Sequence, residues 1–394
     1  MSAGFEEFTR AATRGATRGA PELPKLDQIA VLGGGADARL LAALCLAEGA
    51  EVTLFSAYGA ELSLLAQSSG ISLRGEGPVG TYQVDRDGPS VRTTAELDAA
   101  VSGAQVIFLT GPIHKQRTYA MVLADHLSDG QVLVLAPGRS LGAVETAWLL
   151  RIGGCVADVT LVEVQGLPYW FRSEGAGLTL SQAAPMAAAT LPRGRDEVLQ
   201  ALSTYLPNLQ KVDSVLASGF NDLSAAVEIP ALILGGTAMG TGGPNVPMGG
   251  VPLEDNQTFA SLIGPDQKEV IRGLADERRR IAAAFGVRKL PETEHWVSVF
   301  AGSERGSGAR PIPDQQWSRS MMRDGVLGSL VPLVSAGELA GIPSPLTSSL
   351  ITMSDRILGA DIAAAGRRLE TIGITAGDVD QARRIFDTIV TGAS

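Results

Sequence analysis

Aromatic residues are scarce in this chain, making up 5% of 394 positions, and cysteine and histidine are scarcer still, at two and three. Cys45 and Cys155 have no metal-ligand spacing and no two histidines pair at such spacing, so no metal site is expected. Both cysteines read as small buried hydrophobes. No apolar run reaches the length of a membrane span. No block of Lys and Arg stands out beyond Arg278-Arg279-Arg280, which falls inside a helical pattern, and the net charge of −10 has the wrong sign for a phosphate backbone. Residues 1–25 lack an apolar core of signal-peptide length. These absences predict a cytoplasmic chain with neither a nucleic-acid nor a membrane partner.

What is present is material for two cores. Hydrophobic residues make up 45% and charged residues 19% of a length that suits two domains. Residues 1–25, with a small tandem repeat over Ala12–Ala20, read as a flexible tail. From 26 to 185, short apolar runs alternate with helical periods. Ile29–Leu32, Glu51–Phe55, Val106–Thr110 and Val132–Ala136 suit strands buried on both faces. The fold class expected is α/β, with an N-terminal doubly wound, mainly parallel sheet of Rossmann type. Residues 186–394 read as an all-helical substrate and dimerisation domain, with helical periods over Ser214–Leu234, Gln267–Phe285, Val326–Ala340 and Leu346–Leu358. Two loops, Gly235–Asp255 and Ser303–Trp317, suit either lids over a substrate or plain surface excursions.

Gly33, Gly34, Gly35, Ala36, Asp37 and Ala38 fit G-x-G-x-x-A between a strand and a helix. Dinucleotide binding needs this order. Gly33 permits the turn, Gly35 lets backbone approach a pyrophosphate, and Ala38 lets the helix pack on the strand. The end of the second strand usually carries an acid for the adenosine ribose. Here it carries Ser56, whose neutrality leans the choice toward NADP over NAD, although no arginine follows before Arg74. Thr110, Gly111 and Pro112 follow a strand and are expected to border the nicotinamide ribose.

Further segments resemble a known family. Ala136-Pro137-Gly138-Arg139 resembles the N-P-G-R of the octopine/nopaline (opine) dehydrogenases. Glu163-Val164-Gln165-Gly166-Leu167-Pro168-Tyr169 resembles their E-T-Q-x-L-P-Y, and Leu330-Val331-Pro332 with Ala340–Leu346 resembles their C-terminal motifs. The resemblance implies a Rossmann domain, a helical domain and a substrate cleft between them. It also implies reduction, by hydride from NAD(P)H, of an imine formed from a 2-oxo acid and an amino group, with a catalytic His assisted by an Asp. Here Ile229 takes the place of that His, and Asp324 corresponds to the Asp, displaced by one position.

The proton source is therefore sought among Glu228, Asp324 and Asn221. Glu228 neighbours the missing His in an apolar helix, where burial favours the protonated form. Its plainer role is a partner for an arginine. Asn221 suits either a substrate contact or a surface amide, and Asp324 either a cleft acid or a helix N-cap. Arg139 suits a substrate carboxylate, and Gln165 and Tyr169 suit polar contacts in the cleft. Three functions fit: an opine-dehydrogenase-like NAD(P)-dependent oxidoreductase acting on a small molecule as a homodimer, a ketopantoate or 3-hydroxyacid type of reductase, and a non-catalytic dinucleotide sensor. The second usually needs a Lys on a helix of the second domain, and Ser214–Leu234 contains none.

Overall fold

A computed structural model describes residues 25–68, 70–234 and 257–391. The tail expected over 1–25, save Lys25, and the loop Gly235–Asp255 lie outside the described residues.

The strands are β1 (Gln28–Leu32), β2 (Glu51–Phe55), β3 (Ile71–Gly75), β4 (Gly80–Tyr82), β5 (Val91–Thr94), β6 (Val106–Leu109), β7 (Val132–Leu135), β8 (Thr160–Val164), β9 (Tyr169–Glu174), β10 (Gly177–Gln182), β11 (Met186–Leu191) and β12 (Leu209–Lys211). Eight of them form one sheet in the order β5-β2-β1-β6-β7-β8-β11-β12, parallel throughout except where β11 runs against β8. Alternate residues serve opposite faces, as pleating requires. Ile29 and Val31 of β1 enter one core with the helix Ala36–Ala47, while Ala30 and Leu32 enter another with the helices Ile113–Leu123 and Gly142–Ile152. Both faces are covered, which is why these strands read as unbroken apolar runs.

The sequence expectation differs from the structure in two places. The sheet does not stop at 185: β11 and β12, with the helix Asp196–Leu202 between them, extend it to Lys211. Met186–Leu191 is half alanine and has only Thr190 to carry the β-branched signal of the earlier strands. A second, four-stranded sheet, β4-β3-β10-β9, was not anticipated. It buries Leu73, Leu178 and Leu180 in the same core as the helix Ala36–Ala47.

From Val215 onward the regular elements among the described residues are helices. Ser214–Leu234 divides into Val215–Asn221 and Ser224–Leu234, with Asp222 at the break. Gln315–Gly325 runs through a π turn, Val326–Leu330, into Val331–Ala340. The C-terminal stretch then returns to the sheet. Leu369, Ile372 and Phe386 share a core with Leu133 and Val144, and Arg367 ion-pairs with Glu145 at 2.7 Å.

Candidate active site

The chain runs from β1 outward to β2 and β5, then crosses back to place β6 on the other side of β1. A crevice opens at such a reversal, beyond the carboxyl ends of the strands. Gly33 follows β1 with φ of +132°, in the region that favours glycine, and its N–H donates to Phe55 O at 2.9 Å. A Cβ there would strike Thr110 Oγ1, while Ala38 is fully buried alongside. Gly35 caps the helix Ala36–Ala47 with no side chain satisfying the first N–H groups, and a Cβ at Gly35 would meet nothing within 4 Å. An uncapped helix N-terminus facing open space fits a pyrophosphate.

The neighbouring residues are arranged less simply. Thr110 is buried and donates to Leu32 O at 2.9 Å, so its hydroxyl braces the turn. Gly111 (φ +77°) and Pro112 lead into the helix Ile113–Leu123. Ser56 is fully buried and donates to Glu61 Oε2 at 2.5 Å. Glu61 also faces Lys115 Nζ at 3.5 Å.

A charged cluster joins the two parts of the molecule near this turn. Arg139, at φ +59°, follows β7 and reaches Ser224 Oγ, with Nη1 3.6 Å from Glu228 Oε2. The close approach of Gly328 in the π turn leaves room for its side chain. Burial opposes the Arg139 charge, but Glu228, Asp222, Asp324 and Asp37 outweigh it and hold its pKa above the ordinary value. Asp324, half-buried, accepts from Ile113 N at 3.4 Å, so it sits at the start of the helix Ile113–Leu123 rather than capping its own. Burial pushes the Asp324 carboxyl up to about 6, against the pull of Arg139. Burial, with Asp324 as the next cause, pushes Asp37 up to about 6 as well.

Glu228 lies in this cluster but in the plainer of its two roles. It is 4% exposed, and Arg310 Nη2 meets its Oε1 at 2.8 Å. Arg310 is stacked between Trp170 and Phe259, 4.2 Å from each ring centre. A carboxylate engaged by one guanidinium and facing a second is placed to hold charges in position. Ile229 is fully buried in the helical core beside Gly325.

Of three further expected contacts, one touches this cluster and two lie elsewhere. Asn221 accepts from Trp296 Nε1 at 2.7 Å, which makes it a brace in the helical core. Gln165 is buried and donates to Arg139 O and Ser218 Oγ at 3.0 and 2.9 Å, so it supports Arg139 from beneath. Tyr169 lies on β9 against Gly77 and in the field of Glu48. Glu48 ends the 12-residue helix that Gly35 begins, so about 18 Å separates that end from the turn. The next residue, Trp170, is the one turned toward Arg310, because β9 alternates its faces.

Asp37, Glu61 and Arg310 were not singled out from the sequence. Asp37 stands inside the glycine motif, where an acid also suits a helix dipole. Arg310 falls in a polar loop whose partner is 82 residues away.

No family model matches the chain. It is 25% identical over 360 residues to an opine dehydrogenase of Arthrobacter sp. (strain 1C), an alignment covering 88% of this chain and 95% of that protein. A solved octopine dehydrogenase with NADH and pyruvate superposes with a TM-score of 0.66 at 18% identity, covering 93% of this chain and 98% of the other. A ketopantoate reductase from Ralstonia eutropha JMP134 superposes with a TM-score of 0.58 at 16% identity, covering 84% and 98%. The Rossmann sheet followed by a helical part is the architecture of these structures. Among the described residues no helix is long and apolar enough to cross a membrane.

Proposed function

We propose that this chain, an NAD(P)-dependent dehydrogenase or reductase resembling the opine dehydrogenases over most of its length, reduces an imine or carbonyl of a substrate derived from an amino acid and a 2-oxo acid. The observation that carries this reading is the gathering of Arg139, Asp324 and Asp37 into one electrostatic cluster beside the uncapped glycine turn.

Bound at that turn, NAD or NADP supplies the hydride. The Arg139 guanidinium attracts a substrate carboxylate and fixes its orientation. Glu228 and Arg310 hold Arg139 in place. Asp324, raised to about 6, supplies the proton that the family's His otherwise handles, since an acid works best with a pKa near the operating pH. Asp37 is a second carboxyl within the same field. A cytoplasmic homodimer completes the proposal, and gel filtration tests its assembly state.

The test is turnover of NADH or NADPH against a panel of 2-oxo acids paired with amino acids. Asp324→Asn should cut kcat by about 10²–10⁴ with little change in cofactor affinity. Turnover within a factor of two of the parent would remove Asp324 from the chemistry, and no turnover by the parent on any pair would sink the imine substrate.

A further inference from the structure

We propose that Glu61, and not a residue at the end of β2, reads the adenosine ribose and selects NAD over NADP. The inference rests on the dinucleotide reading of the glycine turn. Ser56 stands where the ribose-binding acid usually stands, and its neutrality alone leans toward NADP. The structure supplies the missing charge from the first turn of the next helix, Gly59–Gln67.

Two contacts, from Ser56 and Lys115, fix the carboxylate there. Ser56 Oγ accepts from Tyr58 N at 3.1 Å and directs its own proton to Glu61 Oε2. That proton is therefore not free for a phosphate oxygen. A Cβ on Gly34 would collide with the Glu61 carboxylate, so the second glycine of the motif leaves room for this acid. Lys115 Nζ lies 3.5 Å from Glu61 Oε1 and 4.4 Å over the Tyr58 ring, which engages this part-buried cation with the acid. Arg39, the other cation that Glu61 acts on, is buried and turned to Ser173 Oγ at 2.8 Å.

Glu61 is about a quarter exposed and lies against the turn that would hold the pyrophosphate. A carboxylate there accepts from both ribose hydroxyls of NAD. A 2′-phosphate would bring about −1.5 to −2 charges against it. Like charges so placed discriminate strongly.

The full chain titrated with NADH and with NADPH by nucleotide fluorescence should bind NADH about 10²-fold more tightly. Glu61→Gln keeps the shape and the Ser56 contact but removes the charge. It should tighten NADPH by about 10-fold or more and weaken NADH by less than that. Lys115→Met, which leaves the acid unneutralised, should widen the preference for NADH. A parent that binds NADPH as tightly as NADH, or a Glu61→Gln variant with an unchanged ratio, overturns the proposal while leaving dinucleotide binding intact. Binding of neither nucleotide overturns the glycine-turn reading together with it.

Discussion

Gly35 and Asp324 show how differently single residues signal a site. Gly35 was legible as a helix start because a tight strand-to-helix turn needs a fixed order of small residues, and that order is written locally. Gly35→Val meets no neighbour within 4 Å and needs no unusual backbone, so the fold should survive while the isopropyl group fills the space over the helix N-terminus. Cofactor affinity should fall by about 10²-fold, as for a displaced anion at a helix start, with the melting temperature nearly unchanged. Unaltered affinity in a fluorescence titration would reject the assignment. Asp324 is the opposite case. Its chemistry comes from Ile113 N and Arg139, which the sequence does not place beside it. Its pKa makes a signed prediction. Raised from 3.8 to about 6, the carboxyl holds a proton in the folded chain that the unfolded chain releases. This share of stability is present below pH 3.8 and declines as pH rises to about 6. A donor with this pKa also predicts kcat/KM for reduction falling above about pH 6, and Asp324→Asn should abolish both the step and most of the rate.

At the scale of elements, the legible parts were those with strong periods. β1, β2, β6 and β7 are apolar on both faces because helices cover both. The strands of the second sheet carry no such pattern, since they are richer in polar residues and only partly covered. The loop Ser303–Trp317 gave a length and a polarity but not its purpose, which is to carry Arg310 under Trp170 and Phe259 to Glu228. Removing one member of a buried ion pair costs about 3–5 kcal/mol, because the other is left uncompensated. Arg310→Ala should therefore lower unfolding stability by that order in urea titration, and Glu228→Ala added to it should recover part of the loss. Strictly additive losses would mean the two groups act independently.

Across the whole molecule, the boundary expected at 185 gave way to a sheet that runs on to Lys211, and Leu369 to Val390 return to the core that Ala30 and Leu32 enter. Domain limits are hard to read where chain order and spatial order part company. Arg367 is 1% exposed and holds Glu145 while its Nη1 reaches Ser140 O. Arg367→Ala should cost about 3–5 kcal/mol, seen as a lower urea midpoint for the cofactor-binding part itself. A midpoint unchanged for that part would show the tie to be incidental. The same return of the chain sets a rule for anyone cutting the gene. A fragment ending after the last strand would lose Leu369, Ile372 and Phe386 from its own interior, so a transplantable nucleotide-binding cassette must be assembled from both ends of the coding sequence.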